Sequence, residues 1–286
     1  VREVLWMDRN PERLRGLHDG LGGLVRLIRL LRGHRFARTI VMHHSRTLAF
    51  AALAAGVPER YGYGFGLQRR FLNRPPALPP AALRLHPHEQ ATAWLAAAGV
   101  ALADAEPRLP VAAEAQRAVR ERLGPAALPT VVMGIGSSEP YKQWGAARFV
   151  ALADALADAG WRRLVLAGGP AEAGLAAAIA EGTRAGGLVV PAIGWELSVL
   201  AALCAEAGFY VGNDTGVMNL AAAVGARSYG LFGATAPILH SRRIVGILPA
   251  DRRASVAGGM AGITVEAVLA AIRDDRGGLS PESGGG

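Results

Sequence analysis

Short apolar runs alternate with amphipathic stretches along most of the chain, most regularly after residue 128. There TVVMGIG, RRLVLAG, GLVVP, AGFYVG and ARSYGLFG read as strands. Between them GAARFVALADALADAG, AEAGLAAAIAEGT, WELSVLAALCAE and GVMNLAAAVG carry helical spacing. Strands that are apolar throughout and alternate with helices predict a parallel, doubly wound sheet, since such strands are covered on both faces. TVEAVLAAIRDD reads as a closing helix. Residues 277–286, which include LSPESGGG, are expected to form a disordered tail.

The first half repeats the alternation less regularly. VREVLWM predicts a short strand, LGGLVRLIRLLRGHR an amphipathic helix, ARTIVMH a strand and SRTLAFAALAAG a helix ending at Gly56. ERYGYGF reads as a further short strand, and the proline clusters of QRRFLNRPPALPPAALRLHPH exclude a regular helix. HEQATAWLAAAGV returns to helix and ADAEPRLPV is an extended connector. AAEAQRAVRERLG then reads as a helix on the seam. The expected fold class is α/β with two Rossmann-like domains facing a cleft, over 1–112 and 113–276. The first domain is expected to be incomplete, because it begins mid-pattern.

Composition narrows the class. The chain has 286 residues, half of them apolar and few aromatic, as in a soluble α/β protein. Arg, Asp, Glu or Pro interrupts every apolar run before it is long enough to span a bilayer. The opening VREVLWMDRN has no basic cap followed by an apolar run, so no secretory signal is expected, and its first residue is Val. Cys204 is the single cysteine, which excludes an intrachain disulfide and a cysteine zinc site. A cytoplasmic setting is expected. The formal charge of +8, 31 basic minus 23 acidic residues, suits anionic partners. Arg26, Arg29, Arg32, Arg35 and Arg38 recur about once per turn and predict a basic helix face suited to an anionic membrane surface. No nucleic-acid motif accompanies them, so nucleic acid is not an expected partner.

Candidate chemistry falls on loops after the strands of the second half, where open α/β sheets bind ligands. Three qualify: GIGSSEPYKQW, GGPAE and GNDTGVMN. In the last, Thr215 and Gly216 open a helix whose backbone N–H groups suit a phosphate or diphosphate. Asp214 has two readings, an N-cap or a hydrogen-bond acceptor for sugar hydroxyls. Ser137, Ser138 and Lys142 offer hydroxyl and ammonium donors at the same sheet edge, although loop serines commonly close local turns. Lys142 is the only lysine in a chain that otherwise uses arginine for every basic position. That choice favours a compact, flexible point charge over a planar fork. Two of four asparagines, Asn213 and Asn219, also fall in GNDTGVMN.

VGNDTGVMNLAAAVGARSYGLFGATAP resembles the signature of the heptosyltransferases, glycosyltransferase family 9, in which G-N-D-T/S-G-x-x-H-L-A-A-A runs into x-x-L-F-G-x-T. GIGSSEPYKQWGAARFVALADAL is similar to that family's G-A/S-S-x-x-x-K-x-W-x-x-x-x-F-x-x-L-A segment. The resemblance implies a GT-B fold and an inverting, metal-independent transfer without a cofactor. It also implies an ADP-heptose donor and an acceptor in the lipopolysaccharide core at the cytoplasmic membrane face. By the same resemblance, Ser138 and Lys142 match donor-phosphate contacts, Asp214 the donor-sugar carboxylate, and Thr215 and Gly216 the diphosphate-binding turn.

Three departures accompany it. The family's N-terminal strand and Gly-Asp loop, which supplies the proposed base, have no counterpart, so no catalytic residue is assigned. Asn219 stands at the usual histidine position and cannot titrate near neutral pH. Trp195 and Glu196 replace small hydroxylated residues, which alters contacts with the nucleotide. His43 and His44 end a strand, and His86 and His88 flank Pro87 as candidates for an acceptor wall. The HxH pair has no third partner for a metal, so none is expected. The alternatives to an active glycosyltransferase are a catalytically silent nucleotide-sugar-binding module or a fragment lacking the N-terminal catalytic loop and, with poorer support, a nucleotide-sugar epimerase.

Overall fold

The computed structural model describes residues 4, 5, 7, 16–124, 128–237 and 241–281. The chain divides into two compact units, Val1–Ala105 and Glu106–Gly286. The strand expected over VREVLWM lies largely outside the described residues.

In the first unit, α1 (Gly20–His34) leads to β1 (Arg38–Val41), α2 (Arg46–Ala54), β2 (Glu59–Gly62) and α3 (Pro87–Ala97). β1 and β2 pair in parallel, Arg38 opposite Glu59 through Val41 opposite Gly62. Ser45 caps α2 by accepting from the Leu48 N–H at 3.2 Å. The proline-rich stretch forms two short 3₁₀ turns, Gly66–Phe71 and Pro80–Arg84. Its core is aromatic, with Tyr63, Phe65 and Trp94 buried, and the Trp94 indole N–H donates to the Gly62 carbonyl at 2.9 Å.

The basic stripe is not one helical face. α1 ends at His34, Arg35 takes a left-handed conformation beyond it (φ 49°), and Arg38 lies on β1, paired with Glu59 at 2.8 Å. Arg26 and Arg32 are on α1 and donate to the Leu17 and Ala54 carbonyls. The histidines also serve local structure. His86 caps α3 by accepting from the His88 N–H while Glu89 reaches back to the His86 N–H. His44 meets Gln90 at 2.6 Å, and His43 accepts from the Ser45 N–H.

In the second unit α4 (Ala113–Leu123) precedes six strands: β3 (Thr130–Gly134), β4 (Arg163–Gly168), β5 (Val189–Ile193), β6 (Phe209–Asn213), β7 (Ser228–Leu231) and β8 (Ile244–Ile247). The crossovers are α5 (Ala146–Asp158), α6 (Ala173–Gly182), α7 (Leu197–Glu206) and α8 (Gly216–Ala223), and α9 (Val265–Arg276) closes the unit. All pairings are parallel, in the order β5-β4-β3-β6-β7-β8. This is the strand order of a doubly wound dinucleotide-binding sheet, with its reversal between β3 and β6.

Alternate residues of each strand face opposite layers. Val131, Met133, Leu164, Leu166, Phe209 and Val211 pack with α5, α6 and α9. Val132, Val165, Ala167 and Tyr210 pack with α4, α7 and α8. Burial on both faces explains why these strands are apolar throughout. Where β3 and β6 end at the reversal, Gly134 and Gly212 stand opposite each other, and a methyl group on Gly212 would overlap the Gly134 backbone. Cys204, on the inner face of α7, is wholly buried, and burial pushes its thiol up to about 12, so it stays protonated. The expected tail is ordered at its start: the Trp161 indole donates to the Leu279 carbonyl at 2.7 Å, and Leu279 packs on the core. Residues 282–286 lie outside the described residues.

Candidate functional site

The carboxyl ends of β3 and β6 are the reversal point of the sheet, and their loops are tied together by one side chain. Asn213, the last residue of β6, is fully buried. Its Nδ2 donates to the carbonyls of Ile135 and Gly136, both at 3.1 Å, and to Gln143 Oε1 at 3.0 Å. Its Oδ1 accepts from the Trp144 N–H at 3.3 Å. Gln143 Nε2 returns to the Ile135 carbonyl at 2.9 Å, and the buried Trp144 indole donates to the Ile263 carbonyl at 2.8 Å. The loop from 135 to 144 is therefore fixed at both ends. Asn213 frames the site from within.

On that frame, the 3₁₀ turn Pro140–Lys142 brings Lys142 to the next residue of the β6 loop. Lys142 Nζ donates to Asp214 Oδ2 at 3.1 Å, both side chains being mostly buried. Thr235, on the loop after β7, donates to the same oxygen at 2.8 Å. Asp214 is thus not an N-cap, and that reading is overturned. The N-cap of α8 is Thr215, whose side chain makes no capping hydrogen bond. The first N–H groups of α8 have no intrahelical partner, and among the described residues no side chain takes them up and no atom occupies the space around the missing Cβ of exposed Gly216. One turn on, Asn219 Nδ2 donates back to the Thr215 carbonyl at 3.3 Å. Its Oδ1 is buried and receives no hydrogen bond.

Beside these groups a cavity of about 440 Å³ opens along the same sheet edge. Ser137, Ser138 and Thr215 line it after β3 and β6, Glu172 after β4, and Trp195 with Leu197 after β5. The Ser137 hydroxyl is committed to its own turn, donating to the Glu139 carbonyl at 2.7 Å and accepting from the Glu139 N–H. The structural use of a loop serine thus holds at Ser137, while Ser138 lines the cavity. Glu172 Oε2 accepts from the Gly169 N–H at 2.8 Å, which fixes one oxygen of its carboxylate. Trp195 lies under the Arg122 guanidinium, 4.7 Å from the ring centroid.

Three of the expected residues, Ser137, Ser138 and Thr215, line the cavity. Lys142 and Asp214 form a pair beside it, Gly216 opens α8, and Asn219 lies one turn into that helix. Two members of the site were not singled out from sequence. Thr235 was present only as the last letter of the LFGAT run, and Glu172 only as part of the GGPAE loop. Among the described residues, no three His, Cys, Asp or Glu side chains come close enough to hold a metal ion. No described helix is long and apolar enough to cross a membrane.

Residues 24–254 match the model of a family described as "Glycosyltransferase family 9 (heptosyltransferase)". Among solved structures, the chain is similar to E. coli ADP-heptose lps heptosyltransferase II, with a TM-score of 0.74 and 22% identity over 89% of this chain and 80% of that one. A glycosyl transferase family 9 protein from Veillonella parvula DSM 2008 superposes with a TM-score of 0.77 and 20% identity, over 90% and 79% of the two chains. E. coli heptosyltransferase WaaC with ADP-2-deoxy-2-fluoro heptose gives 0.65 and 21%, over 88% and 77%. These likenesses bear on the fold. No curated protein sequence matches the chain.

Proposed function

The chain belongs to glycosyltransferase family 9 and is a glycosyltransferase, and from that premise we propose that it holds a nucleoside-diphospho-sugar along the carboxyl edge of the second unit's sheet. The observation that carries this reading is the Lys142–Asp214 pair at the β3/β6 reversal, beside the uncapped start of α8. A diphosphate there meets backbone N–H groups and an ammonium, the two kinds of group that stabilise an oxyanion without metal. Asp214 has its second oxygen for sugar hydroxyls, because Lys142 and Thr235 both address Oδ2.

Strand order gives the ligand a direction. From β5 to β6 is three strand spacings, about 14 Å. Along that distance the edge presents Trp195, then Glu172, then Ser138, then Thr215. A base, a ribose and a diphosphate match this sequence of aromatic face, carboxylate and hydroxyl–N–H groups. Bond cleavage puts growing negative charge on the leaving diphosphate, which Ser138, Lys142 and the α8 amides receive. The WaaC structure is one with ADP-2-deoxy-2-fluoro heptose and the heptosyltransferase II is named for ADP-heptose and lps; in keeping with those likenesses the donor is ADP-heptose and the acceptor a lipopolysaccharide core sugar, met at the cytoplasmic face of the membrane.

The test is release of ADP from ADP-heptose, followed with and without deacylated lipopolysaccharide core. Acceptor-dependent ADP release, lost in Lys142→Ala, is expected. ADP binding without any acceptor-dependent turnover would favour a silent binding module. No binding of ADP at all would refute the donor site.

A further inference from the structure

Trp195 is held more firmly than a loop tryptophan needs to be. Its inner edge packs on the core layer beneath α7, and the Arg122 guanidinium covers one face of the ring. Arg122 is itself anchored, donating to Glu196 Oε2 at 3.0 Å. The last turn of α4 thus grips the two residues that precede α7, and the cation–π contact and ion pair together limit tilting of the indole. Next to it Leu197, the first residue of α7, is 65% exposed in the cavity wall.

This end of the cavity contrasts with the other. Pro170 after β4, Gly194 before Trp195 and Leu200 one turn into α7 belong to the same wall as Trp195 and Leu197, and none has a polar side chain. Two of the nearby backbone donors are occupied: Gly194 N–H donates to the Gly168 carbonyl at 2.9 Å and Gly169 N–H to Glu172. A site that discriminates by hydrogen bonding needs buried polar groups that the wrong ligand would leave unpaired. The side chains here supply none. A flat apolar wall rewards instead the area of the ring laid against it.

Resting on the donor-site reading above, we infer that Trp195, braced by Arg122 and Glu196, is the stacking platform that selects the base of the donor nucleotide. It takes a purine by face contact in preference to a pyrimidine, and it does not distinguish adenine from guanine. Trp195 contacts the ligand directly. Arg122 and Glu196 are positioning residues that act through it.

Calorimetry with the full chain, using ADP, GDP, UDP and inorganic pyrophosphate, tests this. ADP and GDP are expected to bind within a few-fold of each other, and UDP several-fold more weakly, because uracil lays a smaller ring on the same face and keeps part of the stack. Trp195→Ala should weaken ADP and GDP roughly tenfold and leave pyrophosphate unchanged, Trp195→Phe should restore most of the loss, and Arg122→Ala should give a smaller loss. Tryptophan fluorescence keeps the test decisive if Trp195→Ala folds poorly: ADP should quench the wild type, and Trp195→Phe should lack that quench. Equal affinity of ADP and UDP, a GDP affinity far below that of ADP, or an undiminished quench in Trp195→Phe would overturn the platform while leaving the donor site standing. Failure of the wild type to bind ADP, GDP, UDP and pyrophosphate alike would overturn the donor-site reading and the platform with it.

Discussion

Asn213→Ala removes the side chain that frames the site without touching the cavity wall. Truncation strips the Trp144 N–H of its acceptor and the Gly136 carbonyl and Gln143 Oε1 of their amide donor, while Ile135 keeps its bond from Gln143. Each buried polar group left unpaired costs about 1–3 kcal/mol, so the three together, two of them only partly buried, cost about 4 kcal/mol. That is a large part of a typical domain stability of about 5–15 kcal/mol. For a unit of this size each kcal/mol moves Tm by about 2–4 °C, which predicts a fall of about 10 °C or more. ADP affinity should fall too, because the loop that carries Ser138 and Lys142 loses its tie to β6. Asn213→Asp is the matched variant: it keeps the shape and the acceptor for Trp144 but turns a carboxylate on three acceptors, and it should destabilise at least as much. Scanning calorimetry gives Tm, and titration with ADP below the lower Tm gives affinity. Changes under about 2 °C in both variants would refute the framing role.

Asp214→Asn removes the negative charge 3.1 Å from Lys142, so free ADP should bind several-fold more tightly while the preference for ADP-sugar over ADP is lost; weaker binding of free ADP in calorimetry would contradict this. The Asp275 carboxyl is held below the usual range, chiefly by its hydrogen bonds with Arg227, and Tyr229 also donates to it at 2.8 Å. A depressed folded-state value contributes stability above the ordinary aspartate range and loses it as pH falls through that range towards the folded value. Asp275→Asn should therefore lower Tm at pH 7 and flatten the decline of Tm between about pH 5 and 3, and parallel melting profiles for both proteins would refute the linkage.

The second unit was legible because its strands are buried on both faces, which writes apolar runs such as TVVMG and FYVGN directly into the sequence. β8 was not legible. Ile244–Ile247 is four residues long, contains a glycine and pairs only with β7, so neither length nor periodicity marks it. The basic repeat illustrates the opposite error. A three-residue spacing continues through Arg35 and Arg38 although the helix stops at His34, since charged surface positions do not register where a helix ends. Within the candidate site, unusual residues pointed to loops that the fold brings together at one sheet edge but not to the contacts they make there. Scarce asparagine drew notice to GNDTGVMN, yet Asn213 proves to be wholly internal, and Asp214 proves to be paired across the sheet rather than capping α8. Glu172 and Thr235 carry no compositional signal, because their parts depend on strand order bringing distant loops to one edge.

The lone lysine shares its carboxylate partner with a threonine. Two donors share Asp214 Oδ2: Thr235 at 2.8 Å from a loop beyond β7, and Lys142 at 3.1 Å from the end of a three-residue turn. If Lys142 turns towards a phosphate, Thr235 still holds Asp214 in place, so cation and carboxylate can act on different parts of one ligand. An ammonium on a four-carbon stem makes that turn by side-chain rotation alone. A guanidinium would instead close a bidentate fork on the carboxylate and stay there. Lys142→Arg should therefore keep the charge and the stability of the unit yet weaken ADP binding roughly tenfold, the worth of one charge-assisted hydrogen bond at the weaker end of its range. Thr235→Val added to Lys142→Arg should cost little further ADP affinity, because Thr235 serves the carboxylate and not the phosphate. If Lys142→Arg binds ADP as the wild type does, charge alone is what the position requires, and the use of lysine there has no physical basis in this site.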